Sequence, residues 1–148
     1  MNLFGVMEVS GSALEAERIR AEVVAANMAN AETTRTAEGG PYRRQHVVFA
    51  SAAPQQNFAG QLLGISGQSA PAIGGVRVTD VVADQGDPLR RFDPGHPDAD
   101  ASGYVSYPDI NPLTEMVDLM GASRAYGLNA SAVQAEKSML SASLDILK

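Results

Sequence analysis

The clearest pattern in the chain is an apolar repeat in its C-terminal quarter. Side chains that are mostly apolar or small recur at alternating spacings of three and four residues, and this spacing places them on one face of an α-helix. Asn111 is a favourable N-cap and Pro112 suits the first helical position, so we predict a helix over residues 112–148. The repeat consists of Leu119, Ala122, Tyr126, Asn129, Val133, Glu136, Leu140, Ser143 and Leu147.

The N-terminal segment predicts a second amphipathic helix, over residues 3–31. It contains no proline, and its apolar stripe is interrupted at Glu17. Helices longer than about 25 residues are typical of coiled coils and helical assemblies. We therefore predict an α+β fold with two long terminal helices that belong to a coiled coil or a helical assembly. The N-terminal stripe consists of Leu3, Met7, Ser10, Leu14, Ala21, Val24 and Met28.

The region between the helices predicts a small β-rich or irregular insert, because residues 32–111 hold seven of the eight prolines. Alternating and β-branched residues predict strands over residues 42–50, 75–82 and 102–107. Residues 55–74 show little pattern and predict a mobile loop. The predicted domains are a discontinuous helical domain, residues 1–31 with 112–148, and the insert, residues 32–111.

The amino-acid composition argues against several classes of function. The net charge of −6 argues against a nucleic-acid binder and against attachment to anionic lipid by charge. The chain has no cysteine, which excludes disulfides, thiolate metal sites and cysteine nucleophiles. With 23 alanines, four Phe, four Tyr and no Trp, it has few large side chains for a core of its own. We expect its apolar surface to be completed by other subunits.

The first residues do not resemble a cleaved secretory signal, since they lack a basic region and their apolar stretch ends at Glu8. No segment approaches the roughly 18 apolar residues of a membrane span. We therefore expect any export to proceed without cleavage of a signal.

No catalytic constellation is evident. His46 and His96 are not paired with a nucleophile at a known spacing, so we predict no enzymatic activity, no cofactor and no small-molecule substrate. Residues 98–103 match the start of a calcium-binding EF-hand loop, but the twelfth position is Asp109 after Pro108, where a bidentate Glu is usual. We predict no metal site and keep a calcium-binding module as an alternative.

The end of the first predicted helix carries a distinctive motif, Asn27-Met28-Ala29-Asn30-Ala31-Glu32-Thr33-Thr34. Asparagine tolerates the left-handed conformation, and its side chain can satisfy the last carbonyls of a helix. We predict that Asn27, Asn30, Thr33 and Thr34 determine how the chain leaves this helix.

This motif and four other segments resemble the rod proteins of the bacterial flagellar basal body, most closely their C-type proximal-rod branch. Two departures are Asp109, where Asn is usual, and Met28, where Ile or Leu is more common. The other matching segments are Ser12-Ala13-Leu14, Gly39-Gly40-Pro41-Tyr42-Arg43-Arg44-Gln45, Gly103-Tyr104-Val105-Ser106-Tyr107-Pro108-Asp109-Ile110-Asn111 and Ala122-Ser123-Arg124-Ala125-Tyr126.

The resemblance implies a structural subunit of the proximal rod, a drive shaft in the periplasm that transmits motor torque to the distal rod and hook. It implies export by the flagellar type III apparatus. It also implies that the two terminal helices pair as a coiled coil lining the inside of a tube, with the insert outside. The implied partners are copies of the chain, other rod proteins, the export apparatus and membrane-ring components. A distal-rod or hook-type axial protein is the other flagellar alternative. Helical spacing predicts as packing anchors Leu14, Val24, Met28, Met116, Met120, Tyr126, Val133 and Leu140.

Overall fold

A computed structural model describes residues 3–52 and 74–145. Its elements, in chain order, are α1 (Leu3–Ala29), β1 (Gln45–Ser51), β2 (Val76–Ala83), β3 (Leu89–Phe92), β4 (Tyr104–Tyr107) and α2 (Pro112–Asp145). The predicted α+β class, with two long terminal helices around a small β-containing insert, is confirmed. The predicted loop over residues 55–74 lies, except for its last residue, outside the described residues.

The two helices lie side by side in opposite directions. Asn27, at the end of α1, bonds to Glu115 in the first turn of α2, and Arg20, two turns earlier in α1, reaches Asp118. Ala122 is completely buried, so the helices approach each other closely at that point. The predicted N-cap is confirmed, because Asn111 Oδ1 accepts the Leu113 N–H at 3.0 Å.

Strands β1 and β2 form an antiparallel sheet that lies along α1. Gln45 pairs with Ala83 at one end and Ser51 with Val76 at the other, with a register shift between Val48 and Phe49. Each end is tied to α1, since Asn27 bonds to the Gln45 backbone and Ser12 Oγ accepts the Val76 N–H at 3.1 Å. The two ties are 15 residues apart, which is about 22 Å along the helix axis.

The close approach at the Ser12 tie requires a glycine directly before β2. A Cβ atom on Gly75 would collide with Ser12 Oγ. Glycine is therefore the residue that lets the strand reach the helix there.

Strands β3 and β4 form a separate antiparallel pair, with Leu89 opposite Tyr107 and Phe92 opposite Tyr104. Strand β3 was not predicted, because all four of its side chains are exposed and they show no alternation of apolar and polar residues. The other three strands were predicted, with bounds that differ by at most three residues. Helix α1 ends two residues earlier than predicted, because the chain turns at Asn30.

The apolar core is thin. Within residues 3–52 and 74–145, the buried apolar side chains are Ala16, Val24, Val105, Ile110 and Ala122. Fully burying a Val or Leu side chain stabilises a fold by about 1.5–3 kcal/mol, so this short set leaves a large share of stability to other contacts. No helix in the same residues is long and apolar enough to cross a membrane.

Candidate assembly surface and junction cluster

A polar cluster built around the buried side chains of Asn27 and Glu115 joins both helices to the insert. We call Asn27, Tyr42, Arg44 and Glu115 the junction cluster. Asn27 is 1% exposed and uses both ends of its amide. Its Nδ2 donates to the Gln45 carbonyl at 2.9 Å and to Glu115 Oε2 at 3.1 Å. Its Oδ1 accepts the Gln45 N–H at 2.9 Å and the Tyr42 hydroxyl at 3.2 Å. One side chain therefore connects α1, β1 and α2.

Glu115 provides the negative charge of this cluster, and the insert supplies its counter-charge. Arg44 Nε donates to Glu115 Oε1 at 2.7 Å, and a second guanidinium nitrogen contacts the same oxygen. Arg44 also lies 3.8 Å from Asp118, which Arg20 approaches to 3.5 Å. Breaking a buried ion pair by removing one partner is strongly destabilising, so the cluster should act as a unit.

The same surroundings change the acidity of Tyr42. Burial raises the pKa of Tyr42 above its ordinary value of 10.0, and the negative charge of Glu115 raises it further. Both effects disfavour the tyrosinate. The hydroxyl therefore stays protonated at neutral pH, and in this form it can donate to Asn27.

The structure gives the four predicted helix-exit residues different partners. Asn30 Nδ2 donates to the Ala26 carbonyl at 2.9 Å, and Thr33 Oγ1 donates to Asn30 Oδ1 at 3.1 Å, so these two close the end of α1 locally. Thr34 Oγ1 instead donates to Asp98 Oδ2 at 2.8 Å, across 64 residues of chain. Asn27 belongs to the junction cluster, where its partners are also distant in sequence.

The eight predicted packing anchors fall into two groups. Val24 is buried between the elements, and Leu14, Met28, Val133 and Leu140 are half-buried. The remaining three, all on α2, are exposed: Met116, Met120 and Tyr126. The structure thus brings the first group into the fold of one chain and leaves the second at its surface.

Exposed apolar residues of α2 form a ridge on the face of this helix that lies away from α1. We define the outer ridge as Leu113, Val117, Met120, Arg124 and Leu128, which lie on one helix face by their spacing. Its four apolar members are 60–69% exposed. Contiguous apolar surface of this kind marks an interaction site in a soluble protein.

The acidic turn before β4 uses its carboxylates internally. Asp98 accepts the Thr34 hydroxyl and lies 3.3 Å from Arg35. Asp100 Oδ1 accepts the Ser102 and Tyr104 amides at 2.8 and 3.0 Å, and its Oδ2 contacts Arg90 at 2.6 Å. These bonds are those of a turn that starts a strand. Among the residues that the structure describes, no three acidic or histidine side chains are grouped as metal ligands.

Sequence patterns did not identify Tyr42, Arg44 and Glu115 as members of one site. Glu115 lies near the positive end of the α2 dipole, which by itself accounts for an acidic residue there, and its partner Arg44 is 71 residues away. A usable signal was present: Glu115 lies seven residues before Ala122, so it extends the apolar repeat of α2 backwards as a charged member. A charge at such a position needs a buried partner.

Segments at both ends of the chain are similar to known protein families, and relatives match it over its full length. Residues 7–35 match a family model described as flagella basal body rod protein, and residues 101–146 match one described as flagellar basal body rod FlgEFG protein C-terminal. The flagellar basal-body rod protein FlgC of Bacillus subtilis (strain 168) is 41% identical over 100% of both chains. FlgC of Borreliella burgdorferi is 39% identical over 100% of this chain and 99% of the relative. FlgC of Escherichia coli O6:H1 is 38% identical, over 95% and 94% of the two chains.

Proposed function

The chain belongs to the family of flagellar basal-body rod proteins, and from this premise we propose that it is a structural subunit of the proximal rod of the bacterial flagellum. The observation that carries the proposal is full-length similarity to basal-body rod proteins of several bacteria. The subunit works by assembling with copies of itself and with other flagellar components, and its function involves no chemical step.

The shape of the helix pair supports assembly into a tube. The outer ridge of α2 presents apolar surface that the single chain leaves uncovered. A contact between this ridge and a different surface of the next subunit is heterologous, and a heterologous contact that does not close produces a helical filament. The half-buried anchors Leu14, Met28, Val133 and Leu140 would become fully buried as neighbours are added.

We assign different layers of the tube to the two parts of the chain. Residues 1–31 and 112–148 form the inner helical layer, and residues 32–111 form the outer layer. The junction cluster supports this division, because it connects the insert to both helices through directional hydrogen bonds. Torque applied to one layer would pass to the other through these bonds.

Export through the flagellar type III apparatus, without cleavage of a signal, is part of the same proposal. So are contacts with the membrane-ring components at the base of the rod. Two long helices joined by a thin core suit this route, because little buried apolar surface has to be exposed when the chain passes in an unfolded state.

The test is mass spectrometry on detergent-extracted hook–basal bodies from the source bacterium. The expected result is the intact chain, with its first residues present, in amounts that follow the other rod proteins. A strain that lacks the motor but keeps the rod serves as the control for adhering proteins. Absence of the chain from otherwise complete basal bodies would contradict the proposal.

A further inference from the structure

Two glutamates of α2 lie on the same face of the helix, 21 residues or three heptads apart, yet they differ in their surroundings. Glu115 is 1% exposed and Glu136 is 4% exposed. Both oxygens of Glu115 are used, by Asn27 and Arg44. Glu136 Oε2, in contrast, has no hydrogen-bond partner among residues 3–52 and 74–145.

An unpartnered buried carboxylate is unfavourable for a helix pair that acts alone. Charged oxygens lose their water on burial, and only a hydrogen-bonding cation compensates for that loss. An apolar residue of similar volume at position 136 would suit an isolated pair better, as it would at any coiled-coil seam. The Glu136 side chain therefore fits a state of the molecule in which a donor is supplied from outside the chain.

The outer ridge, in turn, contains a positive charge without an anionic partner in the described part of the chain. Arg124 is exposed on the ridge between Met120 and Leu128, each four residues away, and it forms no ion pair within the described part of the chain. Covering the apolar members of the ridge would also cover this guanidinium. Arginine suits such a contact, because its long stem packs on apolar surface and its planar head pairs with a carboxylate.

We propose that the outer ridge of one copy packs against the Glu136 end of the helix pair in a second copy, with Arg124 pairing with Glu136. The inference rests on the proposed function and names the contact by which copies join. Arg124 and Glu136 are 12 residues apart on one helix, or about 18 Å along its axis, so a single chain cannot form this pair. The ridge and the Glu136 acceptor are different surfaces of the chain, so the contact is heterologous and can repeat from copy to copy.

A charge exchange tests the pairing inside cells. In a strain without the native copy, Arg124→Glu and Glu136→Arg should each lower incorporation into purified basal bodies at least tenfold, as measured by immunoblot. The double variant should recover incorporation to within about threefold of the unmodified chain. Suppressors of Arg124→Glu that map to another rod protein would overturn the assignment to a second copy.

A milder substitution separates misfolding from failed assembly. Glu136→Leu should raise the urea midpoint of the purified chain, because it removes an unpartnered charge, and still lower incorporation. Glu115→Leu is the matched control at the equivalent position, and it should lower the midpoint. A fall in the midpoint with Glu136→Leu would show that the carboxylate is already satisfied within the chain and would overturn the proposal.

The absence of native cysteine allows a direct test of proximity. A chain carrying both Arg124→Cys and Glu136→Cys cannot form a disulfide within itself, since 18 Å far exceeds the span of about 7 Å that a disulfide tolerates between Cα atoms. Mild oxidation of assembled basal bodies should give a ladder of linked copies, and the single-cysteine variants should not. If the unmodified chain is in the rod but the ladder is absent, the inference fails and the proposed function stands.

Discussion

Replacing Asn27 with alanine should be the most damaging small change in the helix pair. The substitution removes four hydrogen bonds: two with the Gln45 backbone, one with the Tyr42 hydroxyl and one with the Glu115 carboxylate. Neutral bonds contribute about 1 kcal/mol each and a bond to a charged group about 1.5–3 kcal/mol. Glu115 keeps Arg44, and alanine gains about 0.6 kcal/mol in helix propensity. We expect a net loss of about 4–5 kcal/mol.

The assay is urea unfolding of the full-length chain, followed by circular dichroism at neutral pH. Asn129→Ala is the matched control, because Asn129 is a half-buried asparagine of α2 that donates only to its own helix, at the Ala125 carbonyl. Its replacement should change stability by no more than about 0.5 kcal/mol, since the lost bond and the gained propensity offset each other. If the unfolding free energies of the two variants differ by less than about 1 kcal/mol, the four contacts of Asn27 contribute less to stability than we infer.

Three further outcomes can be measured. Leu140→Asp should block incorporation into the rod while the exported chain stays soluble. Ser141→Asp, at an exposed position, should assemble. Normal swimming of cells that carry Leu140→Asp would refute the packing argument. The raised pKa of Tyr42 means that the folded chain holds this proton more tightly than the unfolded chain, so the resulting stabilisation is complete below pH 10.0 and is lost as the pH rises above it. Tyr42→Phe should flatten the alkaline fall in unfolding free energy. The pKa of Asp100 is lowered from 3.8, chiefly by the hydrogen bond from the amide of Tyr104. The stabilisation by this carboxylate is therefore present above pH 3.8 and is lost as the pH falls. Asp100→Asn should reduce the slope of unfolding free energy against pH on the acid side, with Asp109→Asn as the control.

The helices could be predicted because their signals are local and repeated. Asn111, Pro112 and the long apolar repeat specify where α2 begins and which face it buries. Strand β3 lacks any such signal, since Leu-Arg-Arg-Phe is exposed on both faces and owes its conformation to pairing with β4. Pairing of this kind depends on the other strand, so the residues around position 90 do not by themselves predict a strand.

The junction cluster shows the same limit for side chains. A local interpretation of Asn27 and Asn30 treats both as closing residues of α1, and that is how Asn30 behaves, bonding to the carbonyl four residues before it. The partners of Asn27 are 18 and 88 residues away. Spacing along one helix specifies the face on which Asn27 lies. The hydrogen-bond partners of its side chain depend on the strand and the helix that pack against that face.

The choice of polar rather than apolar contacts at the junction has a mechanical consequence. Apolar contacts are non-directional, so a sheet held only by them can rotate on a helix surface at little cost. Hydrogen bonds weaken steeply when their angle changes. The β1–β2 sheet is tied to α1 at both ends, by Asn27 at Gln45 and by Ser12 at Val76, about 22 Å apart along the helix. Two directional ties at that separation resist rotation of the β1–β2 sheet about α1.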